Sequence, residues 1–63
     1  MVMFKKGQLV RTRHHGKGVI KHVSQRVTDR YLLTNPYWDF DMYFQGREIV
    51  ELIGNNFKFK GVK

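Results

Sequence analysis

The chain has 63 residues, 41% hydrophobic and 14% aromatic, with no cysteine and a formal net charge of +7. That length fits one small domain, which buries only about 60% of the surface its unfolded form exposes and has no disulfide or thiolate metal site to brace it. No run approaches the roughly 20 apolar residues of a membrane span, and MVMFKKG lacks the order of a secretory signal, so a soluble cytoplasmic protein is expected.

Short runs of β-branched and aromatic residues between turn residues predict strands, and no dozen-residue window carries a clean helical spacing. The first predicted strand covers residues 8–12 (QLVRT), entered through Lys6-Gly7. The second covers 18–24 (GVIKHVS), with Val19 and Val23 on one side and Lys21 between them. The third, 30–34 (RYLLT), is closed by Asn35-Pro36, a strong breaker pair. The fourth, 40–44 (FDMYF), puts Phe40, Met42 and Phe44 on one face and Asp41 and Tyr43 on the other. A tight turn at Gln45-Gly46 leads to the fifth, 47–52 (REIVEL). Five short strands with short connections predict an all-β, antiparallel barrel over residues 1–54, since closure buries a core and hides strand edges. Residues 55–63 form a basic tail in which Phe57-Lys58-Phe59-Lys60 alternates. Its phenylalanines favour docking, as an extra edge strand, over a free arm.

The charge is lopsided. Residues 1–30 carry eight Lys and Arg against Asp29 alone, a net of +7, whereas residues 31–54 set Arg47 against four carboxylates, a net of −3. Such asymmetry makes a dipolar surface whose positive face attracts polyanions. Its centre is RTRHHGKGVIK, residues 11–21. Backbone amides around glycines cradle anions in some loops, but this phrase lacks the spacing of a P-loop and a following helix. A hairpin whose basic side chains touch a phosphate backbone fits it better, with Gly16 and Gly18 supplying unusual backbone geometry. Adjacent His14 and His15 point to opposite strand faces, with no thiol or carboxylate beside them, so no metal is expected. Protonation of histidine below about pH 6.5 would instead reinforce polyanion binding.

That segment carries a resemblance. FKKGQLVRTRHHGKGVIKHV resembles the opening of small SH3-like barrels of the CarD, KOW and Tudor type, with Gly7, Val10, Gly16, Gly18, Val19 and Ile20 at matching positions. HHGKGVI is similar to the His-Gly-x-Gly-x-Ile turn of the CarD-like RNA polymerase-interacting domain. The resemblance spans about residues 4–53 and implies a five-stranded antiparallel SH3-like barrel. A KOW element implies RNA contacts, a CarD-like one RNA polymerase, and a Tudor-like one an aromatic cage for methylated side chains.

NPYWDFD, residues 35–41, is the second informative stretch. Tyr37 and Trp38 suit stacking on unpaired bases or anchoring a protein partner. Trp38 and Phe40 are equally candidates for the core of so small a domain, leaving Tyr37 as the most exposed ring. Catalysis lacks parts: there is no cysteine, and Ser24, the sole serine, has no activating base in sequence. No enzyme and no cofactor are expected.

Two readings follow. In the first, the chain is a nucleic-acid-binding module of transcription or its regulation. Arg11, Arg13, His14, His15, Lys17, Lys21, Arg26 and Arg30 then meet phosphates of DNA or RNA, and about four contacts on duplex DNA give a salt slope near −3.6. In the second, it is an adaptor or inhibitor, such as a phage encodes, that binds RNA polymerase or another regulator through Tyr37 and Trp38.

Overall fold

A computed structural model of the chain describes residues 4–57. Five strands form one antiparallel sheet: β1 (Leu9–Thr12), β2 (Gly16–Val23), β3 (Arg30–Thr34), β4 (Met42–Gln45) and β5 (Ile49–Gly54). Their order across the sheet is β4-β3-β2-β1-β5, so three successive hairpins are completed by a fifth strand that returns beside the first. The all-β, five-stranded expectation holds. The sequence-predicted sixth strand falls in a tail whose residues 58–63 lie outside the described residues.

The expected closure into a barrel does not occur. β4 and β5 are the two edges of the sheet and do not pair with each other. The chain passes between them through a single 3-10 turn, Gly46–Glu48, which redirects it so that β5 pairs with β1 and not with β4. The Gly46 amide donates instead to the Asp29 carbonyl, at 3.0 Å. Two register shifts along the β1–β5 ladder bend β5 away from a flat continuation of the sheet. An open cleft of about 400 Å³ remains, lined by Phe4, Asp29 and the β5 residues Ile49, Val50 and Leu52.

One face of the sheet makes the core. Val10, Ile20, Tyr31, Leu33, Phe44 and Ile49 converge there, capped by Phe4; Val10 and Leu33 are completely buried. The Phe4 and Tyr31 rings meet edge to face, 5.4 Å apart. Leu9 and Val19 are register partners, and both are buried outside this cluster. Alternation along each strand turns them to the face opposite Val10 and Ile20.

Three sequence expectations need correction. In β2 it is Ile20 and Val23, not Val19 and Val23, that face the core together, because the β2–β3 ladder slips between Ile20 and His22. The extra residue of this bulge, Lys21, lets two positions three apart share a face. β4 begins at Met42 rather than at Phe40, since Leu33–Met42 is the last pair of its ladder. Phe40 therefore precedes the strand and is 71% exposed instead of buried. β5 begins at Ile49, because Arg47 lies in the 3-10 turn.

Candidate nucleic-acid interface

The β1–β2 connection has three residues, Arg13, His14 and His15, between the paired Thr12 and Gly16. Gly16 adopts a φ of 75°, the left-handed geometry that ends three-residue hairpin loops and suits glycine. Buried Thr12 braces the turn: its hydroxyl donates to the Gly16 carbonyl at 2.7 Å and accepts from the His15 amide at 3.0 Å. The Arg13 amide donates to the Glu48 carbonyl at 2.8 Å, fastening the hairpin to the 3-10 turn.

That fastening brings in a residue that the sequence reading assigned to a strand. The Arg13 guanidinium donates to the Arg47 carbonyl at 3.4 Å, so the Arg47 backbone sits beside the hairpin, and Arg47 also lines a hollow with Thr28, Asp29 and Gln45. The Glu48 carboxylate accepts from the Gln45 amide at 2.8 Å and forms no ion pair with these arginines among the described residues. The Gln45-x-x-Glu48 spacing, that of a reciprocal first-turn contact, was the available signal for the turn. Among the described residues, the ion pairs are Arg11–Glu51 at 3.0 Å and Lys21–Asp41 at 2.8 Å. Arg13, Lys17 and Arg47 carry no carboxylate partner there, and all three are exposed.

The loop at 35–41 is tied to the same hairpin by Asn35. Its amide nitrogen donates to the Lys17 carbonyl at 2.7 Å, while its side-chain oxygen accepts from the Tyr37 amide at 2.8 Å. The Asn35 carbonyl accepts from the Trp38 amide at 3.0 Å. This side-chain-closed turn sorts the two rings. Trp38 turns inward, half-buried, over Gly18, where an added Cβ would come within 2.9 Å of its ring, and its ring lies 5.9 Å from that of Phe44. Tyr37 points out and is 92% exposed. The sequence treated Asn35-Pro36 only as a strand breaker; its anchoring bond depends on a strand distant in sequence.

The predicted site residues thus divide. Arg13, His14 and Lys17 gather on or beside the exposed hairpin, next to the Arg47 backbone. His15 is there too, but its ring packs edge-on against Phe44, at 5.5 Å, and walls the end of the core. Arg11 and Lys21 are held by carboxylates, at half-exposed sites where such pairs are weak. Hydrogen bonds from Lys21 and then Thr34 keep the Asp41 carboxyl below its ordinary pKa, against a small opposing effect of burial. Arg26 lies in the β2–β3 turn and Arg30 opens β3, its guanidinium 5.8 Å from the centre of the Tyr43 ring. From Gly16 to Val23 the strand rises by up to about 23 Å, so these two arginines sit at the far end of β2.

No three His, Asp or Glu side chains among the described residues come together as a metal site. Among those residues, no helix is long and apolar enough to cross a membrane. What the hairpin end offers chemically is a set of unneutralised donors around a rigid turn, next to a bare aromatic ring. No family model matches the chain, and no curated protein or solved structure matches it either.

Proposed function

We propose that this protein is a small nucleic-acid-binding module of transcription or its regulation, and that it seats a phosphate backbone on the β1–β2 hairpin. The carrying observation is the exposed β1–β2 turn with Arg13 and Lys17, neither with a carboxylate partner among the described residues, to which the Arg47 backbone is bonded. Cations left unpaired at one end of a domain with net charge +7 release counterions when they meet phosphates. His14, exposed at the tip, extends the patch. These contacts position the domain without reading sequence. The role is binding, not catalysis, in the cytoplasm.

The scaffold is, in this proposal, of the small SH3-like type that the Gly7-to-Ile20 segment resembles. Its support is the meander β4-β3-β2-β1 with β5 returned beside β1. The test is the affinity for labelled DNA and RNA oligonucleotides across a salt series. About three phosphate contacts give a slope of log K against log salt near −2.7 on duplex DNA and near −2.1 on single strands. Affinity that ignores salt, or no binding, overturns the proposal.

Exposed Tyr37 and Phe40 favour a second reading, an adaptor or inhibitor that docks on RNA polymerase or another regulator. A protein partner that stays bound after nuclease treatment, and is lost with Tyr37→Ala, would support it.

A further inference from the structure

We infer that the nucleic acid is single-stranded, with its backbone on the Arg13–Lys17 hairpin and an unpaired base stacked on the Tyr37 ring. This rests on the function proposed above and adds the strand type. In a duplex the faces of the bases are covered by their neighbours, so a bare ring beside a cationic turn has nothing to stack on. With a single strand, the same ring takes any base, because every base has a π-face.

The ring is presented rather than left over. Asn35 bonds at once to the Lys17 carbonyl and the Tyr37 amide, so the ring is rooted two residues from the side chain that hangs from the hairpin strand. Trp38, lodged against Gly18 and Phe44, holds the loop from below and keeps Tyr37 outward. Phe40, also exposed, offers a second ring on that loop. Polarity follows from charge. Exposed Asp39 disfavours phosphates on the loop, whereas Arg13 and Lys17 attract them on the hairpin. The strand therefore lays its backbone along the hairpin and turns its bases towards the loop.

The test compares the full chain's affinity for a fluorescent oligothymidylate and for a duplex of the same length, using wild type, Tyr37→Ala and Tyr37→Phe. The single strand is expected to bind more tightly. Tyr37→Ala should weaken it roughly 5- to 100-fold and leave the duplex unchanged, while Tyr37→Phe keeps most of the affinity. A ring this exposed is not needed for folding, and an unchanged circular dichroism spectrum would verify that. Equal binding of the two probes, or an equal effect of Tyr37→Ala on both, overturns the inference and leaves the hairpin proposal standing. Failure of both probes to bind overturns the two together.

Discussion

β2 has a basic turn at each end, each with two Lys or Arg side chains, and the two differ in how those cations are surrounded. At its start, Arg13, His14, His15 and Lys17 surround a three-residue turn braced by buried Thr12, the 3-10 turn and Asn35. At its end, Arg26 and Arg30 flank a longer turn closed by Ser24, whose amide donates to the Arg30 carbonyl and whose hydroxyl accepts from the Val27 amide. Asp29 belongs to this second turn, in a left-handed conformation with φ of 62°, and its carboxylate packs on Gly46. Arg30 reaches towards Tyr43. Arg26 and Arg30 also lack a carboxylate ion pair among the described residues; the second turn differs in holding Asp29 within it and Arg30 against the Tyr43 ring, whereas the first stands beside the exposed Tyr37 ring. In the proposed function, formal charge alone does not make a polyanion site; what stands next to the charge does.

The largest expected effect removes both ends at once. Leu33→Ala empties a fully buried position at the centre of the core and should cost about 2–5 kcal/mol. In a domain of this size that is most of the stability, so urea denaturation should find the variant largely unfolded.

Gly18→Ala separates the ends. The new methyl would press on the Trp38 ring and on Leu33, an overpacking worth about 1–3 kcal/mol. Trp38 fluorescence should shift as the ring is displaced, while the β2–β3 turn is untouched. An unchanged spectrum would contradict the anchoring role given to Trp38. Ser24→Ala is its counterpart at the other end. It removes the hydroxyl that accepts from the Val27 amide, should cost about 0.5–1.5 kcal/mol, and should leave nucleic-acid affinity alone.

The smallest effect belongs to the Lys21–Asp41 pair. The Asp41 carboxyl titrates below its ordinary value of 3.8 when folded. Its contribution is therefore present above about pH 4 and fades as the pH falls through that value and below. With side chains 59% and 30% exposed, the pair contributes about 0.2–1 kcal/mol. Asp41→Asn should flatten the acid limb of Tm against pH by that small amount, and an unaltered limb would count against the contact.

Much of the fold is legible in the sequence because alternation and turn chemistry act locally. RYLLT is bounded by turn residues and forms the strand it predicts, Arg30–Thr34. Asp41 and Phe40 show where local reading ends. FDMYF alternates as well as any strand, but pairing with β3 stops at Leu33–Met42, and only the tertiary partner decides that. Lys21 could not be read as a bulge, because the slip depends on matching β2 to β3. The hairpin half of the site is visible as RTRHHGK. Arg47 and Asn35 are not, since Arg47 joins it by accepting at its own carbonyl from Arg13, 34 positions away, and Asn35 by donating to the carbonyl of Lys17, 18 positions away. Pairing also removes Arg11 and Lys21 from the free cations, a loss that no charge count reveals.

The most direct measurement sets two double charge reversals against each other. Arg13→Glu with Lys17→Glu and Arg26→Glu with Arg30→Glu change the net charge equally, one at each end of β2. Oligonucleotide affinity, followed by fluorescence anisotropy over a salt series, should collapse for the hairpin pair. Its salt slope on a single strand should shrink by about 1.4, two contacts' worth, while the far-end pair stays near wild type. Equal losses from the two pairs would mean that bulk charge, and not the braced hairpin, holds the nucleic acid.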